Sequence, residues 1–199
     1  APFGYFHLHG RLAASEVTLG HLPVSGSHTP REPRTPASEF HHALLVERPS
    51  ARGATEQVDA QVTASYMRSP VFCLLIGFDF ASVTATTGVE NTIALMHGAE
   101  ETVHAAIAPY SGEAVEEFIF VFNSAKLALL AGLAASAALD EWNELASADR
   151  KLPLLGMAIH AGSMLIVPGT NVHWGDPLNT ASKLAEDSLD GGELCITVP

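Results

Sequence analysis

Asn179 and Lys183 stand one helical turn apart in "NVHWGDPLNTASKLAED", residues 171–187. Residues four apart share one face of a helix, so this amide and this positive charge can reach a single ligand. The same stretch carries Gly-Asp-Pro, and Asp176 with Pro177 supplies the cap and first-turn proline that a helix start needs. A cap does not account for Asn179, Lys183 or Trp174; for Trp174 the plain expectation is packing at the start of the helix. Other chemistry-bearing residues are less pointed. His7, His9, His41 and His42 fall as His-x-His and His-His with no third ligand at a fixed offset, which favours polar strand positions over a metal site. Cys73 and Cys195 lie in separate apolar runs, too few for a disulfide framework and too far apart for a zinc site, and read as buried thiols.

The chain has 199 residues and a net charge of −12, and the charge is unevenly placed. Residues 1–69 hold 6 Arg against 6 Asp and Glu, whereas residues 70–199 hold 4 Lys and Arg against 16 Asp and Glu. Such a surface repels nucleic acid and anionic membranes, which are bound through clustered cations. No apolar stretch reaches the length of a spanning helix, so no membrane insertion is expected within this chain.

The elements that must position these residues are clearest after residue 70. "VFCLLIGF" is a continuous apolar run of strand length, the pattern of a central strand buried on both faces. "GVENTIALMHGAEETVHAAIAPY" places apolar residues at 89, 93, 96, 103 and 107, a helical spacing. "EEFIFVF" is β-branched and aromatic, a strand. "SAKLALLAGLAASAALDEWNEL" is a long Ala/Leu helix with Ser124 as its N-cap. "LPLLGMAIHAGSMLIVPG" reads as a pair of strands hinged at His-Ala-Gly-Ser, and "GGELCITVP" as a closing strand. Residues 1–69 form an N-terminal extension rich in Pro and His, with a loop at "SGSHTPREPRTPAS" and strands at "YFHLHGRL" and "FHHALLVERP". The order after residue 70 suits an α+β fold, a sheet with helices packed on it.

Four motifs in that order give residues 70–199 a family likeness. "FDFASVT" stands at residues 78–84, "VEEFIFVF" at 115–122, "AIHAG" at 158–162 and "WGDPLNTASKL" at 174–184. Together they resemble the class III adenylyl/guanylyl cyclase homology domain, in a degenerate form. The run "SKLAED" followed by "GGELCIT" is similar to the branch that carries Ala-Ser-Lys-Leu-x-Glu-Asp. The resemblance implies a ferredoxin-like fold with a mixed, mainly antiparallel sheet, and a site at the interface of a homodimer or of a heteromer with another cyclase-like domain.

It also implies roles. Asp79 and a second carboxylate, Glu116, would bridge two Mg²⁺ or Mn²⁺ ions, with Glu117 beside it left open as the alternative. For Asp79 itself, capping of the next helix is the competing reading. Phe80, Ala81, Ser82 and Thr84 would line the phosphate loop, although Ser82 replaces a glycine that the family uses there. Asn179 would contact ribose and Lys183 the phosphate in the transition state, with Lys lacking the planar fork of the family's Arg. The two positions that read the purine fall on Gly112 and Val172, neither of which offers a suitable side chain. His160 reads as a hydrogen-bonded strand residue.

The expectation is an intracellular, cytoplasmic cyclase homology domain linked to cyclic-nucleotide signalling. It would bind ATP or GTP weakly if at all and show little or no cyclase activity of its own. The alternative is a catalytically silent dimerisation or assembly module in a larger complex, cytoskeletal or ciliary.

Overall fold

The computed structural model describes residues 35–51 and 53–197. The expected strand at residues 5–12, His7, His9 and the Pro-rich stretch up to residue 34 lie outside the described residues. Helix α1 (Pro36–His42) is capped by Thr35, whose hydroxyl accepts from Ser38 N. A π-helical turn, Ala43–Glu47, leads into the short α2 (Arg48–Ser50), and α3 (Thr55–Tyr66) follows. The segment "FHHALLVERP" is therefore helical, not a strand. Its apolar residues serve a helix face: Phe40 and Ala43 are buried against Val62 and Tyr66, and the Tyr66 hydroxyl donates to Pro36 O.

Strand β1 (Met67–Phe78) begins three residues before the expected domain boundary at 70. Val71, Cys73 and Leu75 are buried on one face and Leu74 and Ile76 on the other, which is why the run shows no polar alternation. Asp79 ends the strand and caps α4 (Phe80–Thr87), and α5 (Val89–Ile107) follows. The buried stripe of α5 runs through Thr92, Leu95, Ala99, Val103 and Ile107. Val89, Ile93 and Met96, expected to share that stripe, stand exposed, because the helix turns Leu95 and Ala99 to the core instead. A 3-10 turn at Ala108–Tyr110 leads to the hairpin of β2 (Glu113–Glu116) and β3 (Ile119–Phe122), joined by Glu117 and Phe118. Ser124 caps α6 (Ala125–Leu145), as expected.

After a 3-10 turn at Ala148–Arg150 comes β4 (Leu154–Ile166), one 13-residue strand where a hinged pair was expected. His160-Ala161-Gly162-Ser163 reads as a turn in sequence, yet ten register pairs to β1 run through and beyond it. Gly162 is small for another reason: a Cβ there would lie 2.8 Å from Pro177 Cγ. The chain closes with β5 (His173–Gly175), α7 (Asp176–Asp187) and β6 (Leu194–Thr197).

The sheet order is β2-β3-β1-β4-β5, with β6 parallel beside β4 and every other pairing antiparallel. β1 is central, between "IFVF" and "MAIHAG". One face of the sheet carries α5 and α6 over Leu74, Ile76, Phe120, Phe122, Met157 and Ile159. The other carries α7, whose Ala181 and Ala185 pack on Leu75 and Ala158. The result is an α+β layer structure with a curled, mainly antiparallel sheet. No described helix is long and apolar enough to cross a membrane. Cys73 is buried and burial pushes its thiol up to about 12, while Cys195 is half-buried.

Candidate functional site

Helix α7 sets the first pair of residues. Pro177, Ala181 and Ala185 form its buried stripe at i, i+4 and i+8. At about 100° per residue, Asn179 and Lys183 lie on the opposite side, and both are exposed. They do share one face, and that face looks away from the chain's own sheet. Asp176 is the first residue of the helix rather than its cap; the cap position is Gly175, where a Cβ would lie 2.6 Å from Ser163 O. Trp174 does not pack at the helix start. It is 70% exposed on the edge strand β5, opposite Leu165.

Asp79 sits where β1 gives way to α4. Its Oδ1 accepts from Ser82 N at 3.0 Å and its Oδ2 from the Ser82 hydroxyl. The Ser82 hydroxyl and backbone N–H hold the Asp79 carboxyl below the usual carboxylate range. The remaining loop residues serve α4 as well. Phe80 packs on Phe78 with ring centroids 5.1 Å apart, Ala81 is exposed, and the Thr84 hydroxyl donates to Phe80 O at 2.8 Å.

Replacing a capping Asp by Ala costs a helix about 1 kcal/mol. Asp79→Ala is expected to lose that much at neutral pH in denaturant unfolding, while Asp79→Asn keeps most of it. The sign with pH follows from the depressed pKa: the ionised carboxylate stabilises the fold above the unfolded value, near 3.9. That contribution disappears as pH falls through the lower folded value. A wild-type/Ala difference that stays constant down to acid pH would contradict the cap.

Glu116 ends β2. Its Oε1 lies 3.2 Å from Nε2 of His173, a residue whose side chain is only 7% exposed. Glu117 falls in the hairpin turn, and its carbonyl is 3.1 Å from His104 Nε2. Glu116, Glu117 and Glu186 line a shallow cleft of about 210 Å³ walled by Phe80, Met96 and Phe118. His160 is buried, with Nδ1 2.7 Å from the Thr197 hydroxyl and Nε2 3.5 Å from Asp176 Oδ2. The sequence did not single out the partnership of His173 with Glu116; the two are 57 positions apart, and no motif spacing links them.

No protein-family model matches the sequence, and no curated protein matches it. Solved structures do. An adenylate/guanylate cyclase/hydrolase from Silicibacter pomeroyi superposes with a TM-score of 0.52 at 22% identity, over 65% of this chain and 75% of that one. The guanylyl cyclase domain of a fusion protein from the aquatic fungus Blastocladiella emersonii does so in two forms. Its monomeric form gives a TM-score of 0.52 at 17% identity over 64% and 79% of the two chains. Its dimeric form gives 0.53 at 14% over 65% and 80%. The fold is that of a class III nucleotidyl cyclase domain. At these identities the likeness is one of fold.

On this cyclase fold, the positions expected to read a purine are filled by packing. A Cβ on Gly112 would lie 2.6 Å from Phe122 Cζ and 2.9 Å from Ile107 Cγ2, so no longer side chain fits without moving the core. Val172 is half-buried against the cluster of Phe40, Val62, Tyr66 and Val167. The carboxylates are also committed. Both Asp79 oxygens accept from Ser82, and Glu116 faces His173. Among the described residues no three His, Cys, Asp or Glu side chains converge on a point that could hold a metal ion. As arranged here, the residues do not fit a pair of Mg²⁺ or Mn²⁺ ions bridged by Asp79 and Glu116.

Proposed function

We propose that the chain acts as one half of a paired cyclase-type assembly in cyclic-nucleotide signalling, with little or no cyclase turnover as a homodimer. The observation that carries this reading is the outward face of α7. Asn179 and Lys183 are exposed and point away from the sheet that ends in Asp79. A ligand held by both has to be completed by another chain, either a second copy or another cyclase-like domain. In that arrangement Asn179 would hold the ribose of ATP or GTP and Lys183 its phosphates. Base selection is not built in, because Gly112 and Val172 offer no hydrogen-bonding side chain. An intracellular, reducing setting accords with the two free cysteines.

The commitment of Asp79 to Ser82 and of Glu116 to His173 favours a second reading, a silent module kept for dimerisation or assembly. Both readings require pairing. Sedimentation of the purified chain is expected to show a dimer, or a complex once a cyclase-like partner is added. A monomer at high micromolar concentration that also ignores such partners would rule out both. If pairing is found, nucleotide binding with Mn²⁺ separates them: binding weakened by Asn179→Ala supports the paired site, and no binding supports the silent module.

A further inference from the structure

Helix α6 buries one side and leaves much of the other apolar. Ala128, Ala131, Gly132, Ala135 and Leu139 are its buried residues. At about 100° per residue the opposite side is centred on Leu130 and Ala137 and flanked by Leu127 and Leu133. Leu133 is 51% exposed, Leu127 and Leu130 are 37% exposed each, and Ala137 is exposed too. A helix that ends its packing at one layer carries polar residues on its outer side, and the first three turns of this one do not. The charges of that outer side are sorted along it. Lys126 stands in the first turn, and Asp140, Glu141 and Glu144 follow toward the end, all exposed. Lys126 is one of only 4 Lys and Arg in residues 70–199, so its place beside an apolar strip with acids at the far end is a marked one.

We propose that this face of α6 is a contact surface for a second copy of the chain, the two helices running antiparallel about a two-fold axis between residues 133 and 134. A face with its cation at one end and its acids at the other is its own complement, which a two-fold contact requires. In that register Lys126 of each copy meets Asp140 of the other, Leu130 meets Ala137, and the two Leu133 side chains meet at the axis. Leucine set against alanine lets the two surfaces interlock. A parallel pair in register would set Lys126 on Lys126 and Asp140 on Asp140, so like charges select the antiparallel arrangement. Helix α6 packs on the face of the sheet opposite α7, so this surface does not rest on the cyclase-type reading, which uses the outward side of α7. A chain that pairs through both would join its pairs into larger assemblies.

The test uses the 199-residue chain carrying Leu133→Cys, under mild oxidation. Disulfide-linked dimer is expected to form at least ~10-fold faster than from wild type, whose Cys73 is buried and Cys195 half-buried. Peptide mass mapping should place the bond between the two residues 133. Adding Lys126→Glu is expected to slow linking ~10-fold, because two attractions become two repulsions. Adding Asp140→Lys as well should restore the rate. Both positions are exposed, and Glu in the first turn suits the helix dipole, so these changes do not act by unfolding α6. Linking no faster than wild type, a bond to Cys195 instead, or a rate indifferent to either charge change overturns the proposal. Nucleotide binding weakened by Asn179→Ala in a chain that does not link at residue 133 would sink this surface and leave the functional reading standing, so the two failures are distinguishable.

Discussion

Purified chain supplied with ATP or GTP is expected to form cyclic nucleotide at below ~0.01 s⁻¹, against a typical enzyme turnover of about 10 s⁻¹. Several independent losses lead there. Losing one oriented donor to a developing negative charge costs about 10²- to 10³-fold, and Lys183 offers a point charge where a planar fork would grip two oxygens. Gly112 is pressed on Phe122 and Val172 on the α1–α3 cluster, so neither contributes to holding the base. Glu116 is engaged by His173. Any residual product should need Mn²⁺, show little preference between ATP and GTP, and vanish in Asp79→Ala. Chromatographic assay of cyclic AMP and cyclic GMP checks this. Robust Mg²⁺-dependent synthesis with a clear base preference would refute the low-activity reading and require the purine to be read by residues other than those named here.

The largest stability effect is expected at Phe120. It is 2% exposed, lies in the cluster formed by the sheet with α5 and α6, and meets the His104 ring at a centroid distance of 5.0 Å. Phe120→Ala removes a buried ring and leaves a cavity, which costs about 3–5 kcal/mol. Set against a typical domain stability of about 5–15 kcal/mol, that is a large share. Ile196→Ala, at a side chain 48% exposed, is expected to stay within about 1 kcal/mol. Denaturant midpoints of the two variants give the comparison. A Phe120→Ala loss under about 1 kcal/mol would mean that the sheet and the α5–α6 layer do not share this core.

The elements that were legible are those whose pattern is local. β1 could be read as a central strand because a strand buried on both faces needs an unbroken apolar run. Ser124 announces α6 because a cap sits at a fixed place before a helix. The "FHHALLVERP" segment misled because Leu44, Leu45 and Val46 look like a strand, whereas Phe40 and Ala43, three apart, decide the outcome by packing on Val62 and Tyr66. β4 misled because its small residues mimic a turn; Gly162 answers to Pro177 across the layer. At the site, Asn179 and Lys183 could be placed on one helix face from spacing alone, and the capping role of Asp79 was among the readings open from sequence. Which way the α7 face points, and which partner holds Glu116, depend on the curl of the sheet, which no short window of sequence records.

Glycine and alanine line the seam between α7 and the sheet. A Cβ on Gly77 would lie 3.1 Å from Ala185 O, one on Gly156 2.6 Å from Leu189 Cβ, and Ala181 and Ala185 are fully buried. At these points the helix comes close to the strands, and Leu178 and Leu184 pack beside them against Leu75 and Ile119. Such a seam leaves no room for bulk: a side chain added at Gly77 or Gly156 would push the helix off the strands. Asn179 and Lys183 are carried by a helix seated this closely on the sheet, so enlarging a glycine in the seam is a way to displace both residues from a distance without touching either.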